Sequence, residues 1–270
     1  MLIKSKELAR YKLGAKDGDV GTIKEFYFDD RYWAIRYLVA DTGSWLTGRK
    51  VLIAPHAIEY VSTENCVIKM NLTRNQIESS PSLESHQPVS RQFEESYYGY
   101  YGWPIYWSGL STWGTTSYID RSEMDQSLAN QSERHWDPSL RSTNAVAGYD
   151  IQAADGELGH IKDFIIDDLT WEIRYLVIET GSWLSGKEVL VSPDWIENVS
   201  WSQSLVRTSL TMNEIQAAPT YSELALLDRT YEAGLYDHYG RDKYWHTKVD
   251  LNRISSTRSK INKSETRHQS

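Results

Sequence analysis

A chain of 270 residues that is 40% hydrophobic and 24% charged has the composition of a globular protein long enough for two modest domains. Its net charge of −8 disfavours a general nucleic-acid binder, because phosphate contacts need a positive surface. A single cysteine excludes an intrachain disulfide framework and a cysteine-built metal site.

The N-terminal stretch MLIKSKELARYKLG lacks the long apolar core of a signal peptide, and apolar runs such as YLVA are too short to cross a bilayer. A cytoplasmic location without membrane insertion is expected. Strands are then predicted near 11–15, 20–28, 33–41, 49–54 and 66–71, from β-branched and aromatic runs bounded by turn residues. Asp17-Gly18, Asp29-Asp30 and Thr42-Gly43 mark the turns, since glycine accepts positive φ and aspartate can bond its own backbone. In the third strand Trp33, Ile35, Tyr37 and Val39 share one face, and Arg36 and Leu38 the other. Apolar groups on both faces predict a strand covered on both sides. Short, twisted strands of this kind favour closure into a small barrel. Cys66 reads as a small buried hydrophobe.

LTRNQIESSP follows, with Thr73 three residues before Gln76: a capping box opening a short helix that ends before Pro81. RQFEESYYGYYGWPIYW predicts a helix and an aromatic arm. Residues 108–147, rich in Ser, Thr, Asn and charge, read as a linker.

The pattern then recurs at an offset of 138 residues, without a gap from Tyr11/Tyr149 to Trp107/Trp245. Between 17 and 61 about 26 of 45 positions are identical to their counterparts. Gly18, Gly21, Trp33, Arg36, Gly43 and Trp45 face Gly156, Gly159, Trp171, Arg174, Gly181 and Trp183, and all twelve are read as scaffold. Thr211 and Glu214 repeat the capping box. The predicted layout is mainly β: a first barrel module over 1–107, the linker, a second over 148–245, and a basic tail over 246–270. That tail carries Arg253, Arg258, Lys260, Lys263 and Arg267, and reads as a solvated segment or a weak polyanion-binding one.

Chemistry is sparse. Asp29-Asp30 and Asp167-Asp168 are paired carboxylates, but adjacent aspartates at a hairpin corner serve a turn, commonly with an ion pair to Arg36 or Arg174. DGDVG has glycine where a calcium loop needs an oxygen ligand. The seven histidines show no metal-binding spacing, no nucleophile elbow or phosphate loop is present, and Cys66 has no apparent catalytic partner. No enzyme activity, cofactor or metal is expected. What needs explaining is eleven tryptophans and eighteen tyrosines. Two readings of the arms stand: packing against their own or the twin barrel, or a partner-facing surface. The interaction candidates are Tyr98, Tyr101, Tyr106, Trp107, Tyr236, Tyr239, Tyr244 and Trp245. Base stacking is disfavoured by Glu94, Glu95, Asp237 and Asp242, which repel phosphate.

DGDVGTIKEFYFDDRYWAIRYLVADTGSWLTGRKVLIAP and its counterpart from Asp155 resemble PRC-barrel domains. That fold is named from the cytoplasmic domain of the photosynthetic reaction-centre H subunit, and it also occurs in a bacterial 16S rRNA maturation factor. The resemblance implies the fold. It also offers two roles, an auxiliary of a photosynthetic or electron-transport membrane complex and an RNA-associated assembly factor. The reading of the residues themselves is a non-enzymatic tandem protein that serves interaction or assembly, with an unknown protein partner and self-association as a possible mode. Its two modules would pack about a pseudo-two-fold axis, as a homodimer fused into one chain.

Overall fold

The computed structural model describes residues 1–46, 49–84, 89–108, 140–181, 184, 186–219, 221 and 227–245. Trp183, most of the predicted linker and the tail over 246–270 lie outside the described residues. The first half comprises β1 (Leu2–Lys4), α1 (Ser5–Leu8), β2 (Lys12–Ala15), β3 (Gly18–Asp29), β4 (Ala34–Asp41), β5 (Arg49–Ile53), β6 (Ile58–Ser62), β7 (Val67–Met70), α2 (Arg74–Glu78), β8 (Leu83–Glu84) and α3 (Arg91–Tyr101). The second comprises β9 (Leu140–Ser142), α4 (Thr143–Val146), β10 (Asp150–Ala153), β11 (Gly156–Asp167), β12 (Ile173–Thr180), β13 (Glu188–Val191), β14 (Ile196–Ser200), β15 (Leu205–Thr208), α5 (Met212–Gln216) and α6 (Arg229–His238).

The architecture is mainly β, with strands in two sheets ordered β6-β7-β2-β3-β4-β5-β8 and β14-β15-β10-β11-β12-β13. Registers repeat at the offset seen in the sequence. Phe26 faces Leu38 as Phe164 faces Leu176, and Leu13 faces Ile68 as Ile151 faces Val206. Both paths have two ends, and no ladder among the described residues joins them into the closed barrel that was expected. The strands expected near 11–15, 20–28, 33–41, 49–54 and 66–71 are present. β6 was not anticipated, because its exposed Glu59-Tyr60 pair breaks the apolar pattern of a buried strand.

Glycine is required inside β3 and β11, where each strand passes close to the end of β4 or β12. A Cβ on Gly21 would lie 1.9 Å from the Asp41 carbonyl oxygen, and one on Gly159 2.1 Å from that of Glu179. Both glycines have φ near +140°, which side chains disfavour. Asp17 and Asp155, in the turns that lead into β3 and β11, reach the capped helices. The Asp17 carboxylate accepts from Arg74 N at 2.8 Å, and Asp155 from Met212 N at 2.8 Å. Each places a negative charge on the free amides that start a helix. The predicted capping boxes at Thr73/Gln76 and Thr211/Glu214 are formed.

The segment leading into each half belongs to the sheet of the other. β1 pairs antiparallel with the end of β11, Leu2 facing Asp167 and Lys4 facing Ile165. β9 pairs with the end of β3, Leu140 facing Asp29 and Ser142 facing Tyr27. Residues 140–146, expected as linker, are therefore a strand and a helical turn. Three-residue strands such as LIK and LRS carry no periodicity of their own and form only where a foreign edge supplies partners.

Hydroxyls and charges complete the exchange. Ser5 donates to the Asp163 carboxylate, Ser142 to Glu25, and the Thr143 hydroxyl accepts from Phe26 N at 3.1 Å. The N-terminal ammonium meets Asp168, and Arg141 meets Asp30 at 3.0 Å. At the centre Ile35 N donates to the Trp171 carbonyl and Ile173 N to that of Trp33, both at 2.7 Å. Trp33 and Trp171 hold φ of +50° and +55°, a left-handed geometry costing about 1–3 kcal/mol in a bulky residue. That geometry aims each tryptophan carbonyl across the junction. Phe28 and Phe164 meet there at 6.0 Å, and one contiguous apolar cluster runs from Leu13 and Phe26 through Ile3 and Ile165 to Leu176. The two halves share a core.

Cys66 departs from expectation: it is exposed, at φ +51°, in the turn before β7. Ser204 holds the same turn at φ +54° in the other half, so the position serves a turn and not the core.

Candidate functional site

The aromatic arms are the sequence feature with the strongest functional reading. α3 starts at Ser90, whose hydroxyl accepts from Phe93 N at 3.2 Å, and ends at Gly102 with φ +69°. α6 starts at Asp228, which accepts from Tyr231 N at 2.8 Å. Each helix lies over the outer face of the long central strand. β4 is thereby buried on both faces, as its composition predicts: Leu38 belongs to the main core, while Tyr37 and Val39 pack with Tyr97, Tyr98 and Tyr106.

A buried carboxylate locks each arm down. Glu94 Oε1 accepts from the Tyr37 hydroxyl at 3.1 Å and the Tyr106 hydroxyl at 2.7 Å, while Oε2 accepts from Arg91 at 3.0 Å. In the other half Glu232 accepts from Tyr175 and Tyr244, both at 2.9 Å, and from Arg229 at 3.0 Å. Both carboxylates are buried. Burial raises the Glu94 pKa above the usual carboxylate range, opposed by Arg91 and the two phenols. Desolvation beside a carboxylate pushes the Tyr37 hydroxyl well up and that of Tyr244 to about 12, so both remain donors near neutral pH.

Cations on ring faces complete the lock. Arg91 lies 4.0 Å from the Trp107 ring and Arg229 4.3 Å from Trp245. Arg36, fully buried, sits 4.0 Å from Tyr106 and pairs with Asp29 at 3.1 Å; Arg174 sits 4.1 Å from Tyr244 and pairs with Asp167 and Glu172. The ion pairs expected of the aspartate corners are formed. Asp29 also accepts from Arg31 N at 2.8 Å, as a turn aspartate does.

The interaction candidates therefore divide. Tyr98, Tyr106, Tyr236 and Tyr239 are buried against their own half, so as partner-facing groups they are corrected to packing residues. Tyr101, Trp107, Tyr244 and Trp245 are partly exposed. Among the scaffold positions, Trp45 is partly exposed, packs against the main apolar cluster and lies under the Arg74 guanidinium at 4.4 Å, and Gly43 holds φ +59°. Gly18 has φ +154°, while a Cβ on Gly156 would meet the Met212 sulfur at 2.4 Å. Gly181 N bonds the Leu158 carbonyl at 3.1 Å.

Sequence reasoning missed that Arg91, Glu94 and their repeats Arg229 and Glu232 form the centre of each arm. The signal was available, since both pairs recur in register with the tyrosines they bind. No group of three or more His, Cys, Asp or Glu side chains among the described residues is placed to hold a metal. No helix among them is long and apolar enough to cross a membrane.

Residues 143–203 match the family model of the PRC-barrel domain. This chain carries a PRC-barrel domain. The match begins at the helical turn α4 and runs through the β14 hairpin edge, so it includes the turn packed on the other half. No curated protein matches the chain.

Proposed function

We propose that the chain is a tandem PRC-barrel protein, a homodimer fused into one polypeptide, that acts without catalysis as a protein-interaction or assembly module. The reciprocal exchange carries this reading. β1 lies on β11 as β9 lies on β3, residue for residue at the same offset, which is the pattern of an isologous two-fold interface. The polar residues that both halves share support the second part. Arg36/Arg174, Glu94/Glu232, Asp29/Asp167 and Asp17/Asp155 make their contacts inside the scaffold, which leaves function to the surfaces it presents.

In-cell crosslinking followed by mass spectrometry of the native full-length protein tests the reading. Recurrent crosslinks from one face of the chain to a defined protein are expected. Crosslinks confined to the chain itself would contradict it.

A further inference from the structure

The two halves differ at one place in a way that opens space. Ala57 and Trp195 occupy equivalent positions, each closing a single turn of 3-10 helix after Pro55 or Pro193. Their carbonyls accept equivalent backbone bonds, from Asn71 N at 2.7 Å and Ser209 N at 3.2 Å. In the second half the Trp195 ring fills the space beside the arm, 4.9 Å from Tyr239 and 5.2 Å from Tyr236. In the first half the small Ala57 leaves a cleft of about 410 Å³, bounded by His56, Asn71, Gln76, Tyr100, Tyr101 and Trp103.

The chemistry of the two places differs as well. Around Trp195 the equivalent positions carry Asp194, Glu214 and Arg241, the last closing onto Ser209 at 2.7 Å. The open cleft holds no acidic or basic side chain but His56, whose pKa is lowered by burial and by Arg36, so it is neutral near pH 7. An uncharged occupant is favoured. The walls are held in place before anything binds. Trp103 stacks with Tyr101 at 4.4 Å and with His56 at 5.7 Å, and Tyr100 stands edge-on to Tyr101 while donating to the Gln76 carbonyl at 3.1 Å. Two rings already stack on Trp103, which leaves less of its face for a sugar or a base. The cleft offers ring edges, the 43% exposed Tyr100, and two carboxamides. The Gln76 Oε1 is held by Thr73 N in the capping box, which turns its amide nitrogen into a donor.

We propose that this cleft binds an uncharged proline-rich segment of a partner protein in the polyproline II conformation. Such a segment has unpaired backbone carbonyls for the carboxamide donors, prolyl rings that lodge among fixed aromatic side chains, and little conformational entropy to lose. The proposal rests on the interaction-module reading and names the chemistry of its partner.

The test is a titration of the full-length protein with a proline decapeptide, read in the parent chain from the indole resonance of Trp103 and in parent and variants alike by calorimetry. A saturable shift is expected. The Ala57→Trp/Trp103→Arg double variant, which installs the residues of the other half and so preserves a packing the fold already uses, is expected to weaken binding at least about tenfold. Tyr100→Ala, at a partly exposed site, provides a second variant with the same expected loss of binding and a fold kept intact, its Tm lowered by only a few degrees. No saturable shift, a shift produced equally by maltose, or undiminished binding by both variants would overturn the proposal. The titration reports on the cleft alone and the crosslinking on the module reading, so failure of one remains distinguishable from failure of the other.

Discussion

The two halves agree where the chain holds itself together and differ where it faces outward. Glu94 and Glu232 bind the same phenols and arginines, and β1 and β9 cross in the same register. Around Ala57 and Trp195, by contrast, nearly every side chain changes: His56 to Asp194, Gln76 to Glu214, Trp103 to Arg241. A repeated scaffold separates the two demands. Positions held in common mark stability, and positions that diverge mark where one half is free to take on a task.

The largest expected test of that equivalence lies at the buried carboxylates. Glu94→Ala and Glu232→Ala each strand an arginine and two phenols, and each is expected to cost about 3–5 kcal/mol in chemical denaturation. Similar losses would bear out structural equivalence, and a silent substitution in one half would break it. Next come the close strand crossings. Gly21→Ala and Gly159→Ala drive a Cβ into a backbone carbonyl, with an expected loss of about 2–3 kcal/mol each. Smaller still, Asp17→Ala and Asp155→Ala remove a helix-start acceptor and should each cost about 1 kcal/mol.

The smallest effect is a pH dependence. Because folding raises the Glu94 pKa, native protein binds this proton more readily than unfolded chain. Its contribution to stability is full below the ordinary glutamate pKa and declines as pH rises through the folded value. Unfolding measured across that range should show this falling component in the parent chain and lack it in Glu94→Gln.

The repeat made most of the scaffold readable from sequence. A capping box seen twice, at Thr73 and Thr211, is stronger evidence than propensity, and Asp29 beside Arg36 is a local pairing that the strand alternation brings together. What escaped depends on contacts remote in sequence. LIK and LRS become strands only on an edge supplied by the other half. β6 was hidden by the polar side chains of an outer strand. Cys66 was misread because burial tendency outweighs turn geometry in composition, and positive φ at a non-glycine residue leaves no mark in the sequence. The aromatic arms looked outward because their tyrosines were visible and their buried carboxylate partner was not. The cleft was illegible for a related reason, since alanine at position 57 means space only once Trp195 is seen filling its counterpart.

The reciprocal exchange is tested most directly by amide hydrogen exchange on a chain lacking residues 1–9. Those residues cover β11 in the second half, so protection should fall at 163–167 and persist at 27–29, which β9 still covers. Loss of protection at 27–29 with 163–167 unchanged would place the N-terminal strand on its own half and contradict the fused-dimer account.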